Sequence, residues 1–181
     1  MLELVIPLGP EIFDDEKQEF IAPETKTLQL EHSLISLSKW ESKWCKPFFS
    51  KEEKTPEETI DYIKCMTITQ NVKDEIYSCL TRDNILQINK YIEAPMTATT
   101  FSKNRKGGNS KEIITSELIY CWMIQLNIPS EYQKWHLNRL LTLIQVCNVK
   151  NEPAKKMSDK EIMSRNRALN AARKKKLNTR G

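Results

Sequence analysis

Lys26-Thr-Leu-Gln-Leu-Glu-His-Ser-Leu-Ile-Ser-Leu-Ser-Lys-Trp-Glu-Ser-Lys-Trp44 changes its period partway along. Its first five residues alternate polar and apolar, the pattern of a strand with one buried face. From Glu31 onward, Leu34, Leu37, Trp40 and Trp44 recur at three and four residues, the stripe of an amphipathic helix, which Pro47 ends. The strand needs a partner, and Leu2-Glu-Leu-Val-Ile-Pro-Leu8 supplies one: it alternates, is rich in β-favouring residues, and is broken by Pro7, Gly9 and Pro10. The two runs pair antiparallel across an acidic loop at 11–25, which predicts a small N-terminal β-hairpin with strands near 2–7 and 26–31.

Downstream the chain reads as helix after helix. Thr55-Pro56-Glu57-Glu58 starts one, with Thr55 as N-cap, Pro56 at N1 and Glu58 closing a capping box. A shorter piece covers 73–80, and Ile85, Ile88 and Ile92 mark a helix over 83–92 that Pro95 stops. The stretch 97–111 holds four basic residues and the Gly107-Gly108 pair without periodicity, which predicts a mobile loop. Ser110 then caps a helix over 111–126 with a wide apolar face, central to the core. Pro129 opens the next, bearing Trp135, Leu137, Leu140, Leu141, Leu143, Ile144 and Cys147. The Asn127-Ile128-Pro129 link predicts an antiparallel helical hairpin. After a polar linker, Ser158-Asp-Lys-Glu161 forms a second capping box ahead of a thinly amphipathic helix over 159–176.

At 181 residues the chain is one domain with or without a tail. Its charge divides sharply. Residues 150–181 hold 11 cations and 3 acids, net +8, whereas residues 1–149 hold 17 and 21, net −4. The reading is a helical core domain over 1–149 and a basic linker and helix over 150–181. Five scattered cysteines, Cys45, Cys65, Cys79, Cys121 and Cys147, fit buried thiols in a reducing compartment. The acidic first 20 residues lack the basic start of a signal peptide, and no window approaches the roughly 18 apolar residues of a membrane span. A soluble cytosolic protein with no membrane partner is expected.

Catalytic chemistry finds few players. Four glycines leave no Gly-rich phosphate loop. The two histidines, His32 and His136, have no cysteine at metal-ligand spacing, so no metal or other cofactor is expected. His136 beside Trp135 reads as a partly buried, hydrogen-bonded core histidine. The cysteines lie among Trp, Ile and Leu, as inert thiols do. The acidic runs Asp14-Asp15-Glu16, Glu52-Glu53 and Glu57-Glu58 mark solvated loops and helix N-termini, not a pair of acids with pKa values driven apart. A non-enzyme is expected.

The basic tail offers two chemistries. Arg165, Arg167, Arg173, Lys174, Lys175, Lys176 and Arg180 could neutralise phosphates of a nucleic acid. Ile162, Met163 and Leu169 keep a helical phase, however, and aromatics for base stacking are missing from 150–181, which favours docking into a protein groove. The partner-binding residues chosen on this basis are Ile162, Met163, Arg165, Leu169 and Arg173. Trp40, Trp44 and Trp135 could also meet another chain, but Trp at helical spacing reads first as core.

Several stretches together resemble a family of small proteins encoded by tailed bacteriophages. They are Leu28 to Trp44, Pro95-Met-Thr-Ala-Thr-Thr-Phe101, Ile114-Thr-Ser-Glu-Leu-Ile-Tyr-Cys-Trp-Met123, Gln133-Lys-Trp-His-Leu-Asn-Arg-Leu-Leu-Thr-Leu-Ile144 and Arg167-Ala-Leu-Asn-Ala-Ala-Arg173. The resemblance spans roughly 1–176 and points to the tail-assembly module, most closely to tail assembly chaperones. It implies a mainly α-helical, non-enzymatic protein that binds the tape measure protein and keeps its hydrophobic helices soluble until tail tube subunits polymerise around them. The implied location is the host cytoplasm during assembly. A structural virion protein of the neck, connector or tail is the alternative, retained in the particle, and a nucleic-acid-binding module using the basic tail is the second. The fold expected is a helical bundle with a small N-terminal β-hairpin and a basic C-terminal arm, able to form a homo-oligomer.

Overall fold

The computed structural model describes residues 1–9, 12–14, 19–101, 113–151 and 159–177. It is mainly helical, with a small antiparallel hairpin at the N-terminus. Strand β1 (Leu2–Pro7) pairs with β4 (Thr25–Leu30) in the register Leu2↔Leu30 to Pro7↔Thr25. Alternation places Leu4, Ile6, Leu28 and Leu30 on one fully buried face, while Val5 is left exposed. The connection is not the plain acidic loop expected. It contains two further short strands, β2 (Ile12–Asp14) and β3 (Glu19–Ile21), paired antiparallel with Phe13 opposite Phe20. Ile12, Phe13, Phe20 and Ile21 are strand-favouring residue types, a signal that the run of acids between them obscured.

Both edges of the β1–β4 ribbon make contacts with the chain that follows. Beside β4, the chain at 66–68 adds a bridge: the Glu31 N–H donates to the Met66 carbonyl at 2.9 Å and the Ile68 N–H to Gln29 at 2.8 Å. Beside β1, the Asn84 amide donates to the Val5 carbonyl at 3.1 Å. On the β4 side the main-chain groups of Gln29 and Glu31 are thereby satisfied and do not invite a further strand.

Helix α1 (Leu34–Trp44) begins at a capping box of Ser33 and Ser36. It ends before Pro47, at Cys45, whose φ of 52° turns the chain into the left-handed region while its N–H returns to the Glu41 carbonyl. Helices α2 (Pro56–Met66), α3 (Asp74–Ser78) and α4 (Arg82–Glu93) follow. In α2 the Thr55–Glu58 box is present as expected, and α4 is capped by Thr81 and Asn84. Helix α1 is the wall between two cores. Trp40 packs with Leu4, Leu28, Tyr62, Ile63 and Ile88, whereas Leu34 and Leu37 pack with Ile119, Met123, Leu137, Leu140 and Ile144.

The second core departs from expectation at its helix starts. Helix α5 (Ser116–Gln125) is capped by Thr115, not Ser110, because the Thr115 hydroxyl accepts from Leu118 and a carboxylate oxygen of Glu41 takes the Ser116 N–H at 2.7 Å. Ser110 and most of the loop expected over 97–111 lie outside the described residues. Helix α6 (Leu137–Asn151) begins eight residues after Pro129. A 3-10 turn over Ser130–Lys134 comes first, and then Ser33 bridges His136 while Leu137 donates to the His32 carbonyl at 2.7 Å. That bridge holds Trp135 extended and delays the helix.

Contacts divide the chain into two units, Met1–Cys147 and Asn148–Gly181. The second contains helix α7 (Asp159–Leu177), and the Ser158 cap expected for it lies outside the described residues. No described helix is long and apolar enough to cross a membrane.

Candidate functional site

All five residues chosen from sequence fall on α7. At roughly 100° per residue, Ile162, Leu169 and Arg173 lie within about 40° of one another, with Leu177 beside them. Met163 and Arg165 flank that line on opposite sides. Every α7 side chain that is described is exposed, and the apolar ones stand well out: Ile162 42%, Met163 60%, Leu169 46% and Leu177 69%. The helix therefore draws little from packing. Ala168, Ala171 and Ala172 favour it intrinsically, and Lys174, Lys175 and Lys176 in its last turn complement the helix dipole. With seven cations against Asp159 and Glu161, α7 carries net +5.

A second constellation escaped the sequence reading. His32, at the β4–α1 joint, and His136, just before α6, are both buried, and their rings stand 5.1 Å apart edge to face. His136 Nε2 lies 3.0 Å from the Tyr91 carbonyl, which can only accept, so that nitrogen carries the proton. Its Nδ1 accepts from the Asn138 N–H at 3.3 Å. Both nitrogens are thus committed to main chain, as expected of a hydrogen-bonded core histidine and unlike a general base. His32 Nδ1 meets the Tyr62 hydroxyl at 2.6 Å. Burial, aided by the neighbouring His136, lowers the His32 pKa to about 4, and burial also lowers that of His136. Burial raises both Tyr62 and Tyr91, and the Tyr91 hydroxyl donates to Glu31 at 2.7 Å. Glu31 also pairs with the N-terminal ammonium at 2.9 Å. A cleft of about 280 Å³ opens beside His136, lined by Lys134, Trp135 and Arg139, whose guanidinium lies over the Trp135 ring at 4.0 Å.

Acidic residues between α1 and α2 are structural. Glu58, expected in a solvated run, is buried, because Lys46 reaches it at 2.6 Å and the Thr55 N–H at 2.9 Å. The Lys46 hydrogen bond, with help from Thr55, holds its pKa down. Burial works to raise the Asp61 pKa, but hydrogen bonds from Lys43 and Trp44 outweigh it and leave it lowered. Neither carboxylate is held protonated, so neither is prepared as a general acid.

The cysteines depart from expectation too. None is buried: Cys45 and Cys121 are exposed, and Cys65, Cys79 and Cys147 are half-buried. Cys45 sits at the left-handed end of α1, and Cys121 is on the outward side of α5 with exposed Glu117 and Ile124. Burial pushes the Cys65 thiol up. Among the described residues, no group of three His, Cys, Asp or Glu side chains could hold a metal ion. No family model, curated protein or solved structure matches the chain.

Proposed function

We propose that this chain is a non-enzymatic tail assembly chaperone of a tailed bacteriophage that binds the tape measure protein through α7 during tail morphogenesis. The observation carrying the reading is α7 itself, a 19-residue helix whose described side chains are all exposed, Ile162, Met163 and Leu169 among them. A helix with an exposed apolar line gains by burying that line on another chain. The sequence resemblance supplies the partner: a long helical protein whose apolar surface must be kept soluble. The imidazoles and buried carboxylates of the first unit, with Cys65 and Cys79 packed on its first core, are engaged in holding the fold, and a binding role asks nothing of them.

Mass spectrometry of purified particles beside an infected-cell lysate tests the reading. Abundance in lysate with absence from particles is the expected result, followed by co-purification with the tape measure protein. Retention at a fixed copy number per particle overturns it in favour of a structural component of the neck, connector or tail.

A further inference from the structure

The charge division and the α7 stripe together define the chemistry of what α7 takes, if α7 is the binding arm as read above. Residues 1–149 carry net −4 and residues 150–181 net +8, so an acidic macromolecule is repelled by the first and drawn to the second. On α7 the contact needs more than charge. Ile162, Leu169 and Leu177 form an exposed apolar line, and Arg173 stands in that same line. A wholly apolar groove would bury the Arg173 guanidinium without a partner, at a desolvation cost. A carboxylate opposite it removes that cost and makes a charge-assisted hydrogen bond. A duplex offers phosphates but no apolar surface for Ile162, Leu169 and Leu177. A second α7 brings net +5 against net +5 in either direction.

We infer that α7 docks on an acidic amphipathic helix, one whose apolar seam is flanked by Asp or Glu side chains. Ile162, Leu169 and Leu177 enter the seam, Arg173 takes a carboxylate beside it, and Lys174, Lys175 and Lys176 reach acids at its margin.

Fluorescence anisotropy on the full chain tests this with three labelled probes. One is a helical peptide of about 19 residues, matching α7, with a Leu seam flanked by Glu; the second replaces Glu by Lys; the third is a duplex DNA. The Glu peptide is expected to bind at least about tenfold tighter than either other probe, a tenfold ratio being a clear specificity difference. Its affinity falls as salt rises from about 50 to 300 mM, since the Debye length shortens. Ile162→Ser with Leu169→Ser removes two buried apolar contacts and weakens it by about a hundredfold, and separately Arg173→Gln removes one charge-paired contact and weakens it by about tenfold. Circular dichroism shows that the variants stay helical. Equal binding of the two peptides, tighter binding of the duplex, no binding, or indifference to the two serine substitutions overturns the inference. Those failures leave the particle measurement untouched, and retention in particles leaves the peptide preference untouched.

Discussion

The His32 and His136 rings meet edge to face, 5.1 Å between centroids, where the chain entering α1 is bridged to the chain entering α6. Leu34 and Leu37 lie on one side of that crossing and Leu137 and Leu140 on the other, so the pair sits where the second core is closed by residues roughly a hundred apart in sequence. Both rings are neutral when folded. His32 has its pKa lowered from 6.5 to about 4, so the unfolded chain binds a proton that the folded chain refuses. The stability gained is complete above 6.5 and is lost as pH falls from 6.5 to 4, in total about 3 kcal/mol for His32. His136, lowered by burial, acts in the same direction. The urea midpoint is expected to drop between pH 7 and pH 5, before Glu58 and Asp61, both lowered, begin to titrate. An imidazole proton resonance of His32 that titrates near 6.5 would sink the account.

Glu41 fixes α5 from across the chain. Its carboxylate is buried, accepting from the Phe48 N–H and the Ser116 N–H, each at 2.7 Å. Removing it leaves two main-chain donors without a partner, and Glu41→Ala is expected to cost about 3 kcal/mol. Glu41→Gln keeps one acceptor oxygen and turns an amide N–H toward the other donor, so it recovers about half of that loss. Chemical denaturation of the three proteins decides it. A loss within experimental error for Glu41→Ala would mean that water replaces the carboxylate at no cost.

The same contact explains where the sequence stopped being legible. The strand-to-helix change after Leu30 and the Thr55–Glu58 box are local, and the observed α1 and α2 follow them. The start of α5 is not local. Ser110 has the right chemistry for a cap, but Thr115 wins because Glu41, 75 residues away, supplies the acceptor for Ser116. The start of α6 is likewise set by His32 and Ser33, which no window around Pro129 contains. Two lone histidines 104 residues apart give no spacing signal for the pair they form. The stripe on α7 is legible because periodicity alone places its residues along the helix.

Trp40 is the largest side chain sealed into the first core, 1% exposed, with its indole N–H donating to the Glu58 carbonyl at 2.8 Å. Phe48 packs edge-on against it at 5.3 Å and Tyr62 at 6.5 Å. Trp40→Ala is expected to destabilise by about 3–5 kcal/mol through the cavity it leaves. Trp40→Phe keeps most of the packing and leaves the Glu58 carbonyl to its place in the helical ladder of α2, so it loses one hydrogen bond, at about 1 kcal/mol. Calorimetry should rank them in that order. Equal losses would show that the hydrogen bond, not the ring volume, holds α1 to α2.

Deleting residues 150–181 separates binding from folding. The last buried side chain of α6 is Ile144, six residues before the cut, and every described α7 side chain is exposed. None of the described residues removed by the deletion is buried, so the urea midpoint of residues 1–149 should match that of the full chain within about 0.5 kcal/mol, the usual span of a surface change. Its net charge becomes −4 where the full chain has +4, and any binding that depends on the arm should vanish with it. A truncated chain that unfolds or gains exposed-apolar dye binding would show that the tail shields the second core, and α7 would then be a structural element instead of an arm.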